Sequence, residues 1–472
     1  MVPLVEFPAI VEHYAHFFEP VFSAEAFIQF KRYISGLLVG ENKTVSGINQ
    51  LFVSEKRAQS SLNRLLTSSP FSLSELNEAR LAMMTSIPGA RIKPSKGVLS
   101  LDDTLLTHYG QAFEKIAKLW DHVENRYVWA HNLVSLHYSD EQTDYPLSFQ
   151  LWEPADLEKL AQELPRAGVK LKEGKLALRE TDPRKWRQYL LAVWQRKQHL
   201  PEVAALYQSK LLIGKGLLAN WVDRNPELKL PVTFDSWYTQ PVFCRFIDQT
   251  LQLPYVGTLS KGDKVLLGAE PHALADFAVH LKKEHLGEIA SPHTGQVFQE
   301  IRFSHKGKAE TYYSYCQTHR MPKFGKQRLV INYRCADLSD NPVFFISNRH
   351  RWQARGITRI RRHRWPIEVY YEEGKAEGLD QYQLRDFEGI ARHVALVAVV
   401  YSLLRAAQQD TVLRDSLQRQ LKIVLEGSVA FWRRVSQAEG VWQLALTISA
   451  GLLENKPLTQ IMAPFMAAIC TA

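Results

Sequence analysis

The sequence predicts an α/β protein: a mixed sheet flanked by helices, with a β-strand insertion domain and helical N- and C-terminal regions. Three observations predict it. Helix-spaced apolar residues run from Glu19 to about Ser86; apolar, β-branched and aromatic segments follow from Gly97 to Trp152 and recur from Asp263 to Asn341; helical patterning returns from Gly356 onward. The 472 residues are 46% hydrophobic and 11% aromatic, enough to bury a sizeable core and to exclude a wholly disordered chain.

The elements follow in order. Phe27, Phe30, Ile34 and Leu37 recur at helical spacing, and short helices are expected over Thr44–Phe52 and Ser60–Leu66. Ser72-Leu73-Ser74-Glu75 matches a capping box, in which serine and glutamate satisfy backbone N–H groups that a helix start leaves unpaired. With Lys43, Lys56, Arg57 and Arg64, residues 1–90 form a candidate DNA-reading module of helix-turn-helix kind. Residues 91–262 form the first part of the central domain. There Gly97–Leu101 runs into Asp102-Asp103-Thr104, and Arg126–Tyr138 and Pro146–Trp152 give two adjacent strands. A helical stretch from Pro183 to Val222 precedes the strand Leu230–Phe234, which ends at Asp235. Residues 263–345 read as the β-rich insertion, with turn signals at Lys306-Gly307-Lys308 and Lys323-Phe324-Gly325. Residues 346–405 complete the central domain. The helices of 406–472, with Leu413, Leu417, Leu421, Ile423 and Leu425, cap it or form a dimer surface.

Lys plus Arg number 58 against 49 Asp plus Glu, a net +9 that points to a polyanionic partner. Cys244, Cys316, Cys335 and Cys470 form no C-x-x-C pair, so neither a disulfide framework nor a zinc ribbon is indicated, and a reducing cytoplasm fits. Cys316, His319 and Cys335 are too irregularly spaced to read as a metal site. The longest apolar run, Val394–Leu404, is shorter than the ~20 residues a membrane span needs, and the first residues lack a secretory pattern, so no membrane partner is expected.

Three carboxylates stand out. Asp102 follows the first strand, Asp235 follows the strand after the helical stretch, and Glu368 lies beside Arg349–Arg364, which holds seven arginines, two histidines and no acid. Taken singly, an Asp after a strand is more often a turn or cap residue. A basic run is ordinarily a solvated face, yet its self-repulsion favours a phosphate partner. Together, three acids without histidine or cysteine suit hard Mg²⁺, two of which ~3.5–4 Å apart can activate water and stabilise a leaving oxygen. On one continuous helix, Arg361, Arg364, Glu368, Glu372 and Lys375 would share a face. The alternative is a set of intrahelical ion pairs.

Arg364-Trp365-Pro366-Ile367-Glu368, followed by Lys375, resembles the R-W-x-I-E…K signature of bacterial insertion-sequence transposases, the DDE group with a ribonuclease H-like catalytic domain and the YREK motif. Gly378–Arg385 and Arg392-His393 also resemble sequence that follows this motif. The resemblance covers about residues 90–405. It implies a ribonuclease H-like mixed sheet, with Asp102, Asp235 and Glu368 as catalytic and metal-binding acids and Asp103 a rival to Asp102. It further implies DNA contacts from Arg364 and Lys375, to which the neighbouring Arg361 and Arg362 add candidates. Arg361 stands where the family carries tyrosine. Pro366 disfavours a continuous helix, so if the helix starts at Trp365 the shared face holds only from Glu368 onward.

The activity implied is that of a Mg²⁺-dependent transposase, with Mn²⁺ able to substitute. It would bind terminal inverted repeats, cleave double-stranded DNA and transfer 3′-hydroxyl ends into target DNA as a homodimer, with hairpinned ends as one route. The rivals are a catalytically inactive, transposase-derived DNA-binding protein and a ribonuclease H-like nuclease without strand transfer. Trp237, Trp352 and Trp365 are candidates to stack on an extruded base.

Overall fold

The computed structural model describes residues 3–53, 57–290, 296–421, 424–425 and 427–470; Lys56 and Ile423, noted above, lie outside the described residues. The strands are β1 (Val98–His108), β2 (Ala117–Asp121), β3 (Arg126–Ser139), β4 (Asp144–Trp152), β5 (Val232–Phe234), β6 (Tyr255–Leu259), β7 (Lys264–Leu267), β8 (Glu270–Ala273), β9 (Gln299–His305), β10 (Lys308–Met321), β11 (Gly325–Tyr333) and β12 (Val343–Ser347). All but β7 and β8 join one ten-stranded sheet.

The apolar segments after Pro94 pair first with one another. β1 and β4 flank β3 in an antiparallel meander, and β5 and then β6 add in parallel on the other side of β1. The order β4-β3-β1-β5-β6 is the ribonuclease H-like mixed sheet. β2 pairs with the start of β3, on the same edge as β4. β3 is buried along nearly its whole length, as expected of a strand with both faces covered.

The segment expected as a β-rich insertion is continuous with this sheet. β12 pairs antiparallel with β6, and β11, β10 and β9 follow outward. An unpaired β6 would leave a row of bare N–H and C=O groups at the sheet edge, and these strands satisfy them. Between β4 and β5 the chain makes the crossover that parallel pairing requires. It does so with a helical module that begins earlier than the sequence suggested, at Leu157–Arg166. Leu160, Leu164, Trp186, Leu190, Trp194 and Val203 give that module an apolar cluster of its own.

The run Val394–Leu404 is the middle of a 23-residue helix, Phe387–Gln409. By length and composition this helix could cross a membrane, but it is buried inside the protein as the axis of the helical layer. Around it pack Ala24–Val39, Gln59–Thr67, Leu73–Ser86 and Val429–Leu453, so the helices of both ends share one core with the sheet. Ser72 caps its helix, accepting from the N–H groups of Ser74 and Glu75, which is the serine half of a capping box. Lys43, expected on a DNA-reading surface, is instead buried: its ammonium donates to the Leu37 carbonyl and lies 3.7 Å from Glu377. A partner over 300 positions away in sequence turns this lysine inward. Arg57 pairs with Glu25 at 2.9 Å, and Arg64 stays on the surface.

A buried polar knot locks the layers together. Asp144, at the start of β4, accepts from Tyr401 Oη (2.7 Å) and Arg405 Nη2 (2.9 Å) of the central helix and from Lys306 Nζ (2.6 Å) in the β9–β10 turn. Burial opposes its ionisation, but Arg405, Lys306 and His137 overcome that and hold its pKa well below the usual carboxylate range. Removing one partner of a buried charge pair costs about 3–5 kcal/mol, so Asp144→Asn is expected to lower the unfolding free energy by about that much in a urea titration at pH 7. Because the folded pKa is depressed, this contribution is present above pH ~4 and declines as the pH falls below it; wild type and variant are therefore expected to converge in stability in acid.

Candidate active site

β1 does not end at Asp102. It continues to His108 because antiparallel pairing with β3 continues, from Asp102 opposite Ser135 to His108 opposite Trp129. What stops is the parallel pairing with β5, whose last matched pair is Leu101 and Phe234. Asp102 and Asp235 are therefore the next residues beyond the last parallel pair of two adjacent strands, Asp102 within β1 and Asp235 just past the end of β5. The Asp235 carboxylate is oriented by its own turn, Oδ1 accepting from the N–H groups of Trp237 and Tyr238 at 3.1 Å each.

Glu368 arrives from the other side. Pro366 sits in the first turn of the helix Trp365–Ala376, where its missing N–H costs nothing, and the preceding helix stops at Arg362. The run is thus broken at His363-Arg364, and no single helical face carries both Arg361 and Glu368. Arg364, at the break, aims its guanidinium back at the sheet. Nη1 donates to Asp102 and Nη2 to Glu368, so one planar fork joins the strand acid to the helix acid. Its Nε is buried without a partner among the described residues.

Arg361 forms a second cationic wall. Nε donates to Thr258 Oγ1 at 2.8 Å, and the guanidinium lies over the Phe345 ring at 5.8 Å. Burial lowers its pKa to about 10, Arg364 adds repulsion, and Asp102, Glu368 and Asp235 all oppose the shift. All three acids thus lie in one electrostatic neighbourhood. Burial pushes Asp102 up to about 7, with Arg364 pulling it down and Asp235 and Asp103 pushing it further up. The Tyr371 hydroxyl donates to the Asp102 carbonyl at 2.9 Å, tying the glutamate helix to β1.

Asp103 faces a different set of partners. Its Oδ2 accepts from Asn132 Nδ2 (2.7 Å) and Lys210 Nζ (2.8 Å), and its Oδ1 from Tyr238 Oη (3.0 Å). These bonds bracket β1 to β3, to the helix Lys210–Arg224 and to the turn after β5. Both Asp103 carboxylate oxygens are thus hydrogen-bonded within the fold, whereas Asp102 meets Arg364 together with Glu368.

The arginines expected at DNA are placed variously. Arg361 and Arg364 face the acids, and Arg362 pairs with Glu310 at 2.7 Å. Lys375 is half-buried, with its charge felt at Asp380. The exposed basic surface lies earlier in the run. Arg351 and Arg355 are exposed and, with Arg359, Gln353, Gly356 and Phe303, line a groove along the helix that leads to Arg364. The sequence held a signal for it: Ile357 and Ile360 form the buried stripe of that helix, and Arg355 and Arg359, four apart, fall outside it. Trp237 and Trp365 are 44% and 49% exposed and sit two and three residues from an acid of the cluster. Trp352 packs against the cluster around Ile357.

A family model described as "DDE superfamily endonuclease" matches residues 17–275, more than half of the chain. A search of curated proteins finds no match. Among solved structures, a piggyBac transposase synaptic complex with hairpin DNA is similar at 8% sequence identity and a TM-score of 0.41, over 93% of this chain and 75% of that chain.

The two neighbouring aspartates are expected to respond oppositely to amidation. In metal-free protein at pH 7, Asp103→Asn strips Lys210 of its counter-charge and should lower stability by about 1–3 kcal/mol. Asp102→Asn removes a buried carboxylate that resists ionisation, and should change stability by less than about 1 kcal/mol or raise it. Urea titration of both variants checks this, and the opposite ranking would exchange their roles.

Proposed function

Because the chain belongs to the DDE superfamily of endonucleases, we propose that Asp102, Asp235 and Glu368 are its catalytic, metal-binding acids and that it is a DNA transposase. It binds the terminal inverted repeats of its element, cuts double-stranded DNA by two-metal-ion hydrolysis and joins the freed 3′-hydroxyl ends to target DNA. The observation that carries this reading is Arg364 held between Asp102 and Glu368, beside Asp235 and Arg361.

The donor set fits a hard divalent cation. It is all carboxylate oxygen, which suits Mg²⁺, with Mn²⁺ as substitute. Burial first, and then repulsion from Asp235 and Asp103, raise the Asp102 pKa; Arg364 opposes that rise, and a cation at the acids would oppose it in the same way. Asp102 and Asp235, side by side on the strands, would hold a shared ion, and Glu368 would complete a second position. Bound there, divalent ions supply a nucleophile from water at neutral pH and stabilise the leaving oxygen.

The protein's own residues do the rest. Arg364, displaced from the acids, presents a fork suited to a phosphate, and Arg361 supplies a second positive charge close by. Asp235's turn fixes its carboxylate before substrate arrives, so little reorganisation is needed. Trp237, with Lys210 Nζ 4.4 Å over its ring, and Trp365 offer faces on which an unstacked end base can lie. The groove of Arg351, Arg355 and Arg359 supplies further positive charge for the phosphates of the duplex. Moving an element with two ends calls for two copies, and the exposed Val441, Trp442, Leu446, Leu452 and Leu453 of the helix Val429–Leu453 suit the contact of a homodimer.

Purified protein with Mg²⁺ and DNA carrying the element's ends should yield both nicked ends and joined products on a sequencing gel. Glu368→Ala should reduce both at least about 10²-fold and leave the DNA dissociation constant nearly unchanged. Persistent cleavage would remove Glu368 from the site, cuts without joining would make the protein a nuclease, and binding alone would make it a DNA-binding protein. Replacing Arg351, Arg355 and Arg359 by Ala should weaken binding alike for all sequences and shallow the slope of log K against log salt by about 2–3, since each lost phosphate contact contributes ~0.9. An unchanged slope would place the DNA elsewhere.

A further inference from the structure

Glu141 lies in the β3–β4 turn, His305 is the last residue of β9, and His363 links the two helices that precede and carry Glu368. Folding brings one atom from each, Glu141 Oε1, His305 Nδ1 and His363 Nε2, within 4.8 Å of one another. Glu141 Oε1 is 3.4 Å from His363 Nε2 and 3.8 Å from His305 Nδ1. Each of these three atoms is buried without a hydrogen-bond partner among the described residues. The separations are long for hydrogen bonds. They are close to the roughly 3.3 Å between donors that surround a tetrahedral ion with bonds of about 2.0–2.1 Å.

The remaining side-chain atoms of two of these residues, His363 and Glu141, are committed in the manner of metal ligands. His363 Nδ1 is bonded to Ser139 Oγ at 3.0 Å, which fixes the ring with Nε2 turned to the cluster. Its backbone carbonyl accepts from Ser100 Oγ at 2.9 Å, and Glu141 Oε2 accepts from the Lys306 N–H at 2.6 Å. Burial keeps both imidazoles neutral: it lowers His363 to about 2, aided by His305 and Lys306, and lowers His305 against the pull of Glu141. Neutral imidazole is the form that ligates. Two of the nearby cations are engaged elsewhere, Lys306 with Asp144 and Arg362 with Glu310.

We infer that Glu141, His305 and His363 form a second metal site, separate from the three acids, that takes a borderline d-block cation, Zn²⁺ foremost, with water as fourth ligand. Two imidazoles and one carboxylate suit Zn²⁺ and disfavour Mg²⁺. The ion staples three sequence-distant segments, and His363 directly precedes Arg364. The site therefore sets the mount from which that arginine reaches Asp102 and Glu368.

The test uses full-length protein stripped with a chelator and kept in excess Mg²⁺, titrated with Co²⁺ and followed by visible absorption. One equivalent of Co²⁺ with tetrahedral bands is expected, displaced by one equivalent of Zn²⁺, and Zn²⁺ should raise the Tm. His305→Gln and Glu141→Gln should each lose the bands and the Tm response, while a triple Asp102→Asn, Asp235→Asn, Glu368→Gln variant keeps both. Glu141 lies at the rim, so its variant serves if His305→Gln does not fold. No Co²⁺ uptake, bands that survive in Glu141→Gln, or bands lost in the triple variant would overturn the site.

Discussion

A planar guanidinium that reaches a buried acid on the sheet and a half-buried one on a helix constrains everything around it. Arg364 meets Asp102, 262 positions earlier on the sheet, and Glu368, one turn later on its own helix. Charges so enclosed persist only when paired, so strand, helix break and helix must hold a common register. The Tyr371 hydroxyl on the Asp102 carbonyl and the Ser100 hydroxyl on the His363 carbonyl are the fastenings that keep it. Pro366, tolerated only in a first turn, sets where the helix begins and so where Arg364 can turn back.

The match to the superfamily and the geometry cover different parts of the site. Residues 17–275 include Asp102 and Asp235 and stop well short of Glu368. The third acid is tied to the other two by contact, through Arg364, and electrostatically, through Arg361, which responds to all three. The strands between Asp235 and Glu368 explain how so long an intervening segment leaves the cluster intact. They extend the sheet edge from β6 outward, and the chain returns along β12 to the place it left.

Much of this was legible from local pattern. The meander strands, the cap at Ser72, and the consequence of Pro366 for the Arg361–Lys375 face all follow from short-range chemistry that the structure obeys. What local pattern could not carry was set by distant partners. β1 runs past Asp102 because β3 pairs with it, and Lys43 is buried because Glu377 awaits it. The apolar run Val394–Leu404 looked short because flanking polar residues of the same helix are covered by the layers packed on it. Glu141, His305 and His363 are single residues in three segments, and no spacing announces them. The helix Leu157–Arg166, with Pro165 in its last turn, carries a breaker signal where its apolar periodicity would otherwise show.

That helix belongs to the segment between β4 and β5, whose first part, up to Val203, has an apolar cluster of its own that touches the main core through shoulder residues such as Tyr207, while the helix Lys210–Arg224 buries Ile213, Leu218 and Trp221 in that core. The cluster's interior can change composition without reshaping the strand that carries Asp235, since β5 is positioned by β1 and β6. Substitutions confined to that cluster therefore leave the placement of Asp235 to the sheet.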